Sequence, residues 1–479
     1  MTQLVLEPAV RQLDLLRSGE ISILDLAEAH LAQIARLNPT LNVFADFNPD
    51  RVLADAARLQ AIPREARGPL HGLPVTVKSS IATAGFKCEI GSLIRKGELP
   101  QEDAVVVARL RAAGALILGT TNCPEFLMSY ETANLLHGAT HNPWDITRSP
   151  GGSSGGESAA IAAGLSAGGL GSDSGGSVRV PAHFTGICSL KPTPGRFPGR
   201  GHLPPCVGPF AILGAIGPMA RSIADVALFF NTLGGQDSED PSSPPIPPRS
   251  FSPQALRAHT IGYFEDDGLV PVTPETRAAV LSAAAALSDA GFRVEHFRPR
   301  SLEPLRLLWD KFFVQCGAMF YAPEIRGHEH LLSPIFREFL EIADSRPKLS
   351  ATDLLNAWAE LDLVRSQMLA EMAAFPVLLC PVASIPAFRP GERRWTINES
   401  IDGNLASREV HYLDAVRHTQ WFNTLGAPAA VVPVGRSPQG LSVGVQIAAR
   451  PYEDEVALGV AAVIDAAFGY RPPPMAGGC

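Results

Sequence analysis

Residues 151–177 read GGSSGGESAAIAAGLSAGGLGSDSGGS. These 27 positions hold ten of the chain's 43 glycines, with seven serines and five alanines. A flexible linker has such a composition, but two features oppose that reading. The glycines come in pairs separated by a helix-like stretch at 158–163. The stretch also runs on through Val178 and Val180 into an apolar continuation as far as Ile187, which a linker would not carry. Paired glycines beside serines let backbone N–H groups approach a substrate oxygen with no Cβ in the way. Several such groups aimed at one point make an oxyanion hole or an anion nest. A phosphate-cradling loop is the rival and fails on detail, because no GxxxxGK[ST] is present, and residues 168–171 are too isolated for a dinucleotide fingerprint.

Working outward, residues 73–77 form a short apolar run that ends at Lys78-Ser79-Ser80. The pattern predicts a helix over 103–113 capped by Gly114, then a buried strand at 115–118. Further strands are predicted at 261–264, 377–380, 431–434 and 442–447. Apolar strands alternating with helices imply an α/β domain with helices on both faces of a sheet. The first ~60 residues read as helical, with boundaries good to a few positions. There Ser22 and Asp25 resemble a capping box, and Ile23, Leu26, Ala27, His30, Ile34 and Leu37 recur at helical spacing before Asn38-Pro39 ends the helix. Residues 1–67 are thus expected to be a helical segment packed on a main domain spanning 68–470. Residues 236–253 carry six prolines and are expected to be a surface linker within that domain. Residues 471–479 form a Pro/Gly-rich tail.

Composition narrows the function. Of 479 residues, 46% are apolar and 18% charged, the latter below the roughly 25% of an average soluble domain. The net charge of −8 argues against nucleic acid as the main partner, because such binding rests on a basic face. The seven cysteines are scattered without a CxxC pair, which excludes zinc-ribbon and thioredoxin readings and points to free thiols in a reducing compartment, the cytoplasm. The N-terminus lacks a secretory pattern, and no run approaches 18 apolar residues, so no membrane span is expected.

The run SPGGSSGGESAA, followed by GSDSGGSVRVPAHFTGICSLKPTPGR, resembles the core of the amidase signature family. GPLHGLPVTVKSS resembles that family's lysine-bearing segment, and GTTNCPEF, HNPWDITRSPGGSSGG, IGPMARSIADVALFFNTLGG and GAPAAVVPVGRSPQGLSVGVQIAARPYEDE resemble further blocks in the same order. The resemblance covers about residues 68–235 and 420–465. It implies a large mixed β-sheet covered by helices on both faces. It also implies a catalytic lysine, a serine in a cis peptide and a nucleophilic serine, which fall here on Lys78, Ser153 and Ser177. Backbone N–H groups of Ser174, Gly175, Gly176 and Ser177 are the implied oxyanion hole. The chemistry is coherent: a serine hydroxyl needs a base, and a lysine serves only if burial keeps it neutral. The window contains no histidine to do so. The resemblance implies hydrolysis of the C–N bond of small, apolar acyl or aryl amides through an acyl-enzyme. Esters and carbamates such as urethanes are chemically open to the same serine. A homodimer is compatible with the sequence.

Other residues are weighed against plainer roles. Ser154, Asp173 and Arg179 are expected to support the catalytic three, the last two as an ion pair that shapes the loop. Glu125 is expected to be a structural carboxylate and His71 to serve a turn. His328-Glu329-His330 lacks further ligands, so no metal is expected, and no cofactor. Leu305, Trp309, Phe312, Cys316 and Phe320 predict a core-facing helix. A sharper reading has this stretch, with Phe313, Met319 and Tyr321, lining a substrate channel inside a variable region at 300–420. Ser79 stands where the family often has Asp, Ser174 where a larger residue is frequent, and KPTPGR where the glutamyl-tRNA amidotransferase chain of the family usually has KPTYGR. These departures weigh against a tRNA-linked role. That role and a catalytically dead binding protein of the same fold are the alternatives.

Overall fold

A computed structural model describes residues 2–401 and 404–477. Cys479, in the expected tail, and residues 402 and 403, in the expected variable region, lie outside the described residues. Eleven strands form one sheet: β1 (Phe44–Phe47), β2 (Pro74–Lys78), β3 (Leu116–Thr121), β4 (Gly168–Asp173), β5 (Cys188–Lys191), β6 (Ala215–Ala220), β7 (Thr260–Tyr263), β8 (Arg293–His296), β9 (Val377–Pro381), β10 (Ala429–Arg436) and β11 (Ser442–Ala449). Their spatial order is β1-β3-β2-β4-β6-β5-β10-β11-β9-β7-β8. β2 runs parallel to β3 and β4, whereas β4/β6 and β10/β11 are antiparallel, so the sheet is mixed.

Both faces are buried. In β9, Val377 and Leu379 join one apolar cluster while Leu378 and Cys380 join another on the opposite face. That alternation is the period-2 consequence of a strand packed between two helical layers. Strands from either side of 236–253 join this one sheet. An antiparallel ribbon, Arg394–Ile401 with Asn404–His411, stands apart from it.

The N-terminal region is helical, and Ser22 and Asp25 form the predicted capping box. Two details differ. The helix Ile23–Leu41 runs past Pro39, which forgoes one backbone hydrogen bond in the last turn. Its end is closed instead by Asn38, whose carbonyl accepts from Asn42 N–H and whose side chain accepts from Val43 N–H. Phe44–Phe47 then adds an edge strand to the sheet. Four residues with no hydrophobic alternation gave no strand signal. The helix predicted over 103–113 is confined to Val105–Ala112, and that predicted over 158–163 spans Gly155–Ala162.

The region around 302–325 is not one regular helix. Helix Leu302–Trp309 passes through a π-helical turn, Asp310–Gln315, into helix Cys316–Ile325. Leu305, Trp309, Phe312 and Cys316 are buried as the spacing predicts, but Phe320 is 39% exposed. The π turn inserts an extra residue, so a constant 3.6-residue period falls one position short, and Tyr321 is buried in place of Phe320. Among the described residues, no helix is long and apolar enough to cross a membrane.

Candidate active site

Lys78 is the last residue of β2, and β4 lies parallel beside it with Val77 opposite Leu170. The carboxyl ends of both strands therefore open at the same edge of the sheet, as in many α/β ligand sites. The chain leaving β4 carries Asp173 into the turn that presents Ser177 and then into helix Arg179–Thr185. Helix Gly155–Ala162 begins at the same edge, immediately after Ser153 and Ser154. Gly156 is required there because a Cβ would lie 2.4 Å from the Asn122 carbonyl oxygen.

Lys78 is completely buried and surrounded by serine hydroxyls. Its Nζ lies 2.6 Å from Ser153 Oγ, 3.0 Å from Ser154 Oγ and 3.2 Å from Ser172 Oγ. Burial lowers its pKa to about 8, although Cys123, Asp173 and Glu157 pull it back up. A neutral amine has two N–H donors and one lone pair, which matches three hydroxyl neighbours. The Ser154 hydroxyl donates to the Ser172 carbonyl at 3.3 Å, so its oxygen is left to accept from Lys78. Of the three hydroxyls, that of Ser153 is the nearest to the amine. The Gly152–Ser153 peptide bond is cis, and Ser154 N–H donates to the Ser177 carbonyl at 3.1 Å, bringing the two serine loops into backbone contact.

The turn that presents Ser177 is pinned from several directions. Arg179 Nε and Nη2 grip the two oxygens of Asp173 at 3.0 and 2.9 Å, with both side chains fully buried. Burial pushes the Asp173 carboxyl up, but Arg179, with Lys191 and Asn423, outweighs it and holds the group well below the usual carboxylate range. Arg179 also donates to the Thr419 carbonyl and to Gln446, and Asn423 donates to Asp173. The Gly175 carbonyl accepts from the hydroxyls of Thr419 (2.6 Å) and Tyr130 (2.8 Å), and the Ser174 carbonyl from the Trp309 indole (2.8 Å). Gly176 has φ +124°, a region essentially reserved for glycine, and a Cβ there would meet Thr419 Oγ1 at 2.3 Å.

One of the four N–H groups expected in the oxyanion hole is otherwise engaged. Gly176 N–H donates to Asp173 Oδ1 at 2.8 Å, because the carboxylate folds back under its own turn. That leaves Ser174, Gly175 and Ser177 as the candidates.

Ser177 is half-buried and lines two adjoining cavities, one shared with Ser153 and His202 and the other with Trp309 and Phe339. Trp309 and Phe313 reach this cleft. Met319 does not and is half exposed, and Tyr321 is buried in the core with its hydroxyl on the Phe126 carbonyl. Glu125 accepts from Ser92 Oγ and Ser333 N–H, and His71 contacts the Leu59 carbonyl. His328, Glu329 and His330 lie exposed on a short 3-10 turn.

Several functional neighbours carried no sequence signal. Glu157, one helical turn beyond Ser153, is buried with Oε1 2.5 Å from Thr76 Oγ1 and Oε2 accepting from Thr121. Burial raises its pKa to about 8, against the opposing pull of Thr76, Thr121 and Lys78. Leu127, which lines both cavities, has φ +68°, next to Phe126 at +50°, a strained pair of the kind that clusters at functional sites.

A family model described as Amidase matches residues 25–458. An acylamidase of Rhodococcus erythropolis is 34% identical over 94% of this chain and 93% of its own length. A glutamyl-tRNA(Gln) amidotransferase chain of Chloroflexus aurantiacus is 32% identical over 93% of this chain and 93% of its own length. The structure of 6-aminohexanoate cyclic dimer hydrolase complexed with substrate superposes with a TM-score of 0.84 at 27% identity, covering 99% of this chain and 100% of that one.

Proposed function

This chain belongs to the amidase signature family and hydrolyses amides, and from that premise we propose that Ser177 is its nucleophile, Ser153 its proton relay and Lys78 its base. The single observation that carries this reading is the environment of Lys78: a buried amine, pKa lowered to about 8, with Nζ 2.6 Å from Ser153 Oγ. Ser177 attacks the substrate carbonyl carbon. Its proton passes through Ser153 to Lys78, and the oxyanion forms against N–H groups of Ser174, Gly175 and Ser177. The C–N bond breaks as the relay returns the proton to the departing nitrogen, and water releases the acyl group by the same route. Asp173, Arg179 and Ser154 position these groups. The substrates are small, apolar acyl or aryl amides, a reading supported by the aromatic lining of the cleft. Esters and carbamates stay within reach of the same serine. The six described cysteines are all unpaired, which supports a cytoplasmic setting.

The test is hydrolysis of p-nitroanilides, esters and carbamates of graded acyl length by Ser177→Ala and Lys78→Ala proteins whose fold is verified by circular dichroism. Lys78→Ala should lose about 10²–10⁴-fold, the usual worth of a general base, and Ser177→Ala at least as much. Full activity in either variant overturns the assignment. The second reading, catalytic chain of a tRNA-dependent amidotransferase, is favoured by the 32% identity to such a chain and opposed by Pro194, which replaces the usual tyrosine of KPTYGR.

A further inference from the structure

The cleft at Ser177 is divided. Its two cavities share Ser177, Leu127, Met128 and Phe313, and Phe313 is the one shared side chain drawn from the region with no family resemblance. One cavity has a polar floor containing Ser153, Ser172, Ser174 and His202, closed off by Phe210 and Cys206. The other is walled by Trp309, Ile335, Phe339, Ile342 and Leu413.

The proposed relay tells the two apart. When the C–N bond breaks, the nitrogen must collect the proton that Ser177 lost, and the group that returns it is Ser153. Ser153 lines the polar cavity and not the aromatic one. The departing amine therefore lies in the polar cavity, and the acyl group, on the other side of the carbonyl carbon, extends into the aromatic one.

Phe313 is a fixed wall between them. It stacks face to face on Trp309 with ring centroids 4.6 Å apart and 13° between planes, and meets Phe210 and Phe339 edge-on. Trp309 is itself tied to the Ser174 carbonyl. The π turn at Asp310–Gln315 delivers the ring to this place, as such turns often do at functional sites.

We infer, resting on the Lys78/Ser153/Ser177 reading, that Phe313 limits bulk on the amine side, so that among the amides proposed above those of ammonia or very small amines with apolar or aryl acyl groups are preferred. Two isomers separate the sides, phenylacetamide with its ring on the acyl carbon and acetanilide with its ring on the nitrogen. Aniline is the better leaving group, so intrinsic reactivity favours acetanilide and any preference for phenylacetamide reports the cavity. The wild type should favour phenylacetamide by at least tenfold in kcat/KM. Phe313→Ala should shrink that ratio at least tenfold, mainly by a gain on acetanilide, with Phe313→Leu intermediate. Labelling of Ser177 by a small fluorophosphonate, located by mass spectrometry, shows which proteins are folded and active. A wild-type preference for acetanilide overturns the orientation whether or not the variants fold. An unchanged ratio in a labelled variant overturns the role of Phe313. Absence of label on wild-type Ser177 overturns the site reading itself, and is thereby distinguished from failure of the inference alone.

Discussion

Lys78, the proposed base, would set function against stability in a single side chain. Its folded pKa of about 8 lies below the ordinary lysine value of 10.5 because burial penalises the ammonium. Only the neutral amine can take a proton, so kcat/KM should climb as pH rises through about 8 and level off above it. For stability, the folded chain releases this proton near pH 8 whereas the unfolded chain keeps it until about 10.5. Between those values the unfolded state binds more protons, so the Lys78 contribution grows more favourable as pH rises and the full penalty applies below pH 8. Lys78→Met should remove the penalty, abolishing hydrolysis while raising stability at pH 7 by on the order of 1–3 kcal/mol, read from the urea midpoint. An unchanged or lowered midpoint would contradict the assigned cause of the shift. At this scale the proximity of Lys78 and Ser153 was legible because family motifs and their spacing of 75 residues survive in the sequence. Tyr130, Thr419, Asn423 and Gln446 were not. They reach the Ser177 turn from 45 to more than 240 positions away, and local pattern carries no information about such pairs.

At the scale of elements, the turn from β4 into helix Arg179–Thr185 depends on one buried ion pair. Asp173 and Arg179 are each fully enclosed, and Asp173 also accepts from the N–H groups of Gly176 and Val178. Removing one charge leaves the other buried and uncompensated, which costs about 3–5 kcal/mol. Asp173→Asn should lower stability by about that amount and disable Ser177 labelling, although neither side chain touches substrate. Arg179→Lys should do nearly the same, because an ammonium cannot reproduce the two-pronged grip or reach Thr419 and Gln446 together. Near-normal labelling in both variants would show that the turn holds its shape without the pair. The ion pair was foreseeable from two opposite charges six residues apart, flanking a serine. The π turn was not, since Leu305, Trp309, Phe312 and Cys316 fit a regular helix well enough to hide the extra residue that points Phe313 into the cleft.

For the whole molecule, the sheet explains how residues as distant as Lys78 and Gln446 meet. β2 and β4 bring Lys78 and the Ser177 turn to one edge, and β10 and β11, paired to β5 and β9, carry the C-terminal third against the other side of Arg179. Six of the eleven strands were legible because their runs are continuously apolar; β1, β4, β5, β6 and β8, which lack such a run, were not. Their order was not, because adjacency of strands far apart in the chain leaves no local trace. The same architecture bears on whether a partner is needed. The aromatic cavity is roofed by helix Pro334–Asp344 through Ile335, Phe339 and Ile342. That helix is tied down at Ser333, whose N–H donates to Glu125, and by Arg393, which bridges Glu338 and Glu131 while lying 4.6 Å over the Tyr412 ring. The roof, the relay and the N–H groups all come from this one chain. The purified chain should therefore hydrolyse simple amides without ATP, tRNA or any other protein, at a rate per chain that does not change with protein concentration. If hydrolysis instead appears only when tRNA and companion chains are added, the stand-alone reading fails and the amidotransferase reading takes its place, with the same serine serving to release ammonia for a partner's use.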